Sequence, residues 1–133
     1  MRAVPDIEPA VILVATVVCF ALGAVYYAVL STRLAELSGT AGSDLKAPPW
    51  ALVVEVLRCL VLAAVVAGLA AQARVDGLAG GLVLGLVLWI GFPAVLWAGA
   101  IVHENIQWRL AAIHAGDWLV KLLAVGAAVS VWP

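Results

Sequence analysis

Between Glu8 and Arg33 the chain carries no charged residue. A run of this length matches the roughly 20 apolar residues that a helix needs to cross about 30 Å of hydrocarbon. Lipid cannot satisfy unpaired backbone N–H and C=O groups, so such a segment must be helical. Three more apolar runs follow, at residues 50–73, 78–102 and 113–132. Of the 133 residues, 66% are hydrophobic and 11% charged. Soluble domains hold about 45–50% apolar and about 25% charged residues, and one of this length could not hide so much apolar surface. The expected architecture is an all-α membrane protein: an antiparallel bundle of four transmembrane helices at about 9–31, 50–73, 78–102 and 113–132. It forms a single domain over 1–133.

The N-terminus is not read as a signal peptide. Asp6 and Glu8 spoil a positive leader, and the first run exceeds the roughly 7–15 residues of a leader's apolar core. It is expected to be a retained span.

The boundaries follow from local chemistry. Pro9 suits a first helical turn, where a missing N–H costs nothing. Residues 32–49 form a polar loop, whose start, Thr32 to Leu37, can continue the helix. Pro48-Pro49 sets the start of the second run, because the residue before a proline avoids helix. Residues 72–77 are too few for anything but a helical hairpin. Pro93 should kink the third helix. Residues 103–112 are expected as an interfacial helical connection, with His103, Glu104, Trp108 and Arg109 at the interface. Tyr26 and Tyr27 are placed near an interface as well, where amphipathic rings are favoured.

The last apolar run, from Trp118 to Trp132, is too short to cross unaided. It reaches span length only by starting near Ile113, which draws Asp117 and Lys121 into the membrane. Glu55 and Arg58 interrupt the second run in the same way. An intramembrane charge costs roughly 2.5–3.5 kcal/mol at the helix centre on insertion scales and marks a functional candidate. Glu55 and Arg58 are three residues apart, and Asp117 and Lys121 four apart with the acid first, so each pair shares a helix face. Gln107 and His114 extend the second pair into a polar stripe. A cross-helix cluster of Glu55, Arg58, His114, Asp117 and Lys121 is therefore expected, open toward the first loop. It has two readings, an ion-pair lock or a site for a proton, ion or substrate.

Other chemistry is poorly represented. His103-Glu104 begins no HExxH, because Gln107 stands where the second histidine would be. His103 and His114 bring no further ligand set, so no metal and no cofactor is expected, and both are given interfacial hydrogen-bonding roles. Cys19 and Cys59 lie in apolar runs and read as small apolar residues rather than a disulfide. With seven basic and eight acidic residues, the chain has no basic face for nucleic acid. Ala15–Cys19–Gly23 and Gly81–Gly85 offer small-residue seams for self- or partner association. The expected partners are membrane lipid and a second copy or another membrane protein.

Residues 82–132 resemble the domain-of-unknown-function 1761 family of small bacterial membrane proteins. The likeness rests on Trp89, Gly91 and Phe92 in the third helix, then Glu104, Trp108-Arg109 and Ala115-Gly116. In the first helix Leu22-Gly23 and Tyr27 fit the family's Leu-Gly-x-x-Trp-Tyr-Ser-Pro, whereas the Trp and the Ser-Pro are missing. The resemblance implies four membrane helices in a bacterial cytoplasmic membrane and no established activity. Under the positive-inside rule, Arg33, Lys46 and Arg109 outweigh Arg2 and Arg74, which places both termini outside the cytoplasm. The expected function is a structural, assembly or interaction protein. A small transporter using the charged cluster is the main alternative, and a membrane enzyme at the lipid interface, with His114 and Asp117 as acid–base pair, the lesser one.

Overall fold

A computed structural model describes residues 7–38 and 48–132. Most of the polar loop, Arg2, Asp6 and Lys46 lie outside the described residues. The chain forms α1 (Pro9–Ser38), α2 (Pro49–Gln72), α3 (Gly77–Gly91), α4 (Pro93–Glu104) and α5 (Trp108–Val131), with no strand among the described residues. Since α3 and α4 are two limbs of one candidate span, the described residues hold four helical units long and apolar enough to cross a membrane.

The helix ends follow the local signals. Pro48 is extended and Pro49 opens α2. Arg74, at φ 55°, and Gly77, at φ 78°, turn the chain sharply from α2 into α3. Pro93 breaks the third span at Phe92, and the Phe92 N–H still donates to the Leu88 carbonyl at 3.0 Å. Asn105 adopts the left-handed conformation at φ 55°, and the Ile106 N–H donates to the Ala100 carbonyl at 3.2 Å, closing α4. That pattern is a common helix stop.

Two boundaries differ from the expectation. Residues 103–112 are not a separate helical connection: the link is Asn105–Gln107, with His103-Glu104 ending α4. The last helix starts at Trp108 rather than near Ile113, because the Asn105 turn completes the reversal early and Trp108 onward is free to wind. α5 thus has 24 residues, about 36 Å of rise.

α5 is the centre of the molecule. It packs against α1, α2, α3 and α4, and α1 also packs on α2. In lipid, apolar burial between helices gains little, so close packing of small residues takes over. The buried core fits that rule: Ala15, Cys19, Cys59, Ala63, Val66, Leu122 and Val125. Along the α3–α5 contact a Cβ on Gly81 would collide with the Gly126 carbonyl, and one on Gly85 with the Leu122 carbonyl. Both small-residue seams are therefore filled within the chain, by α5 and the core, rather than left open for a second copy. The outer faces are apolar, with Val29 77%, Phe92 70% and Val102 70% exposed. A soluble monomer rarely shows so much contiguous apolar surface.

Candidate functional site

The four charges that interrupt the second and last apolar runs gather at one place. Asp117 and Lys121 lie one turn apart on the face of α5 that meets α1 and α2. Lys121 Nζ is 3.0 Å from Asp117 Oδ2 and 3.2 Å from Glu55 Oε1. Arg58 Nη1 donates to the other Glu55 oxygen at 2.7 Å. The Cys59 thiol sits one turn further along α2, 3.9 Å from Glu55 Oε1. The order across the bundle is Arg58–Glu55–Lys121–Asp117, alternating in sign with a sum of zero.

Burial grades along this line. The Arg58 side chain is 54% exposed and that of Glu55 31%, whereas Asp117 and Lys121 are buried. A buried ion pair survives only with good geometry and satisfied lone pairs. Lys121 meets this by lying between two carboxylates. Space for its stem comes from α1: a Cβ on Gly23 would fall 2.8 Å from Lys121 Cε. Asp117 Oδ1, by contrast, is buried with no hydrogen-bond partner.

One turn toward the α4–α5 link lies a second polar layer. His114 Nδ1 is 2.9 Å from the Tyr27 hydroxyl, and its ring stacks on Trp97 with centroids 4.9 Å apart. Tyr26 donates to the Ile113 carbonyl at 2.6 Å, and Trp89 Nε1 to the Ala115 carbonyl at 2.8 Å. His114, Tyr26 and Tyr27 thus make contacts between helices. The signal for the tyrosines was available: Gly23, Tyr26 and Tyr27 share the α1 face that meets α5. The Trp89 and Trp97 contacts have no comparable sequence cue.

One expected member of the stripe falls elsewhere. Gln107 precedes α5 and is exposed, so it does not extend the stripe. His103, Glu104, Trp108 and Arg109 are exposed around the α4–α5 link, where the Arg109 guanidinium lies 5.4 Å from the Trp108 ring centre. Cys19 and Cys59 are free and buried. Among the described residues no group of three or more His, Cys, Asp or Glu side chains could hold a metal ion. At the far end, Trp132 Nε1 donates to Glu8 Oε2 at 2.6 Å, tying the end of α5 to the start of α1.

Comparison with known proteins matches residues 10–130 to the family described as protein of unknown function, DUF1761. The match covers nearly the whole chain, and the protein belongs to that family. No curated protein matches it, and no solved structure does.

Proposed function

We propose that this member of the DUF1761 family is a multi-pass membrane protein with a structural, assembly or interaction role, and that its intramembrane charges are a lock rather than a catalytic or transport centre. The observation that carries this reading is the position of Lys121, shared by Asp117 at 3.0 Å and Glu55 at 3.2 Å. Each carboxylate is already committed to a cation. The cluster also bridges α2 and α5 against α1, which is where a bundle short of hydrophobic driving force needs polar contacts.

The membrane is proposed to be a bacterial cytoplasmic membrane, with the α1–α2 and α4–α5 connections inside and both termini outside. Both polar heads on α2 and α5 turn the same way: Arg58 reaches back to Glu55 and Lys121 to Asp117, toward the end that carries Arg33 and Arg109. A cytoplasm-only fluorescent reporter fused to Pro133 should stay dark; bright cells would reverse the orientation.

One observation favours the transporter reading. Asp117 Oδ1 is buried and unpartnered, and such a group deserves an explanation, a proton or bound ion among them. Proton flux in proteoliposomes, measured with panels of cationic and anionic substrates, separates the two. The structural role requires no substrate-driven flux; a flux abolished by Asp117→Asn would overturn it. Mass measurement in mild detergent then identifies the oligomer or partner.

A further inference from the structure

The end of the bundle where α1 begins and α5 ends is hollow. A cavity of about 500 Å³ opens there between the start of α1, the last turns of α2 and the end of α5. Val11, Ala67 and Ala70 line it and are buried. Glu8 and Trp132 line it as well. The Trp132 indole N–H donates to Glu8 Oε2 at 2.6 Å, which holds both groups at the cavity. Pockets of roughly 300–1,000 Å³, apolar with a few placed polar groups, are the usual form of a small-molecule site.

The charge around this cavity is negative. Among the described residues Glu8 pairs with no cation, and its one side-chain partner, Trp132, is a neutral donor. α2 and α5 both finish at this end, and neither has a basic residue in its last turn. The C-terminal end of a helix acts as about half a negative charge. The N-terminal end of α1 offsets only one of the two. Arg74 and Asp76, in the α2–α3 turn, are opposite in sign, and neither lines the cavity.

We infer that this cavity binds a lipophilic organic cation, with its charge at Glu8 and Trp132 and its apolar part against Val11, Ala67 and Ala70. The carboxylate repels an anion, and a neutral amphiphile leaves its charge unmet. A bare metal cation finds one carboxylate where it needs several oxygen ligands. A cation with an apolar body satisfies both parts of the lining, and tryptophan is the best aromatic neighbour for it. The site stands apart from the lock, because Trp132 lies about 16 Å beyond Lys121 along α5.

The test uses the full chain purified in a mild non-ionic detergent. Tetraphenylphosphonium and tetraphenylborate have the same shape and opposite charge. Their binding is measured by equilibrium dialysis against matched micelles without protein. One phosphonium per chain should bind saturably, and the borate at least tenfold more weakly. Glu8→Gln keeps an acceptor for the Trp132 N–H and removes the charge, so it should weaken phosphonium binding at least tenfold. Ala71→Phe, on the cavity wall, should fill the space and abolish saturable binding. If that variant does not fold, Glu8→Gln carries the test. Dioleoyl phosphatidylethanolamine, whose headgroup bears an ammonium, separates two sources of the cation. Displacement of the bound probe supports the inference with a lipid headgroup as ligand, and no displacement supports it with a freely diffusing cation. Equal binding of the two ions, unchanged binding in Glu8→Gln, or saturable binding in folded Ala71→Phe overturns the inference.

Discussion

Lys121 lies directly over Gly23, its Cε 2.8 Å from where a Cβ on that glycine would stand. The lysine reaches Glu55 across the bundle only because α1 presents no side chain there. Gly23→Leu should push the lysine head out of its place between the two carboxylates. The expected cost is about 1–3 kcal/mol, the usual range for overpacking. Unfolding in mixed micelles reads it, with Gly68→Ala as control, since a Cβ on Gly68 meets nothing within 4 Å.

The α3–α5 seam should be less forgiving. At Gly85 the obstacle is the backbone of Leu122 and Leu123, which cannot swing aside. Gly85→Val should therefore abolish the folded protein, measured as the monodisperse fraction in mild detergent. Gly99→Ala, where a Cβ has open space, should leave that fraction unchanged.

The aromatic layer carries smaller increments. Tyr26→Phe removes the bond to the Ile113 carbonyl, and Trp89→Phe the bond to the Ala115 carbonyl. Hydrogen bonds between membrane helices average about 0.6 kcal/mol and reach about 1.7. Each variant should lose stability within that range, and the two losses should add.

Arg58 belongs to the cluster but sits at its exposed edge. Arg58→Gln breaks a pair whose arginine side chain is 54% exposed. Glu55 keeps Lys121 as a partner when Arg58 is lost, so the loss of stability should stay well below that from breaking the buried Asp117–Lys121 pair, as read by unfolding in mixed micelles. A collapse comparable to that from loss of Lys121 would show that Arg58 bears as much of the lock as the buried pair.

Much of the fold was legible because lipid narrows the choices. The uncharged stretch after Glu8 admits little besides a spanning helix, and Pro93 marks its own break. The pairing of Asp117 with Lys121 follows from a spacing of four on one helix. Other features required three dimensions. Asn105 takes a left-handed turn that ends α4 and lets α5 begin at Trp108, and nothing before it in sequence forces that conformation. The central position of α5 was also hidden, because its polar stripe and its glycine Gly126 face different neighbours. For that reason the seams at Gly81 and Gly85 read as surfaces for a partner when their partner is α5. The enclosure of His114 was hidden for a related reason: Tyr27 and Trp97, which contact it, come from distant parts of the chain.

The central claim is that Asp117 and Lys121 hold the bundle together, and a double-mutant cycle tests it most directly. Asp117→Asn and Lys121→Met, singly and combined, would be unfolded in mixed micelles. Breaking a buried pair by removing one partner costs about 3–5 kcal/mol, so each single variant should be strongly destabilised. The combined variant should cost less than the sum, by a coupling of about 0.5–3 kcal/mol. Single variants as stable as the wild type, or losses that simply add, would contradict the lock.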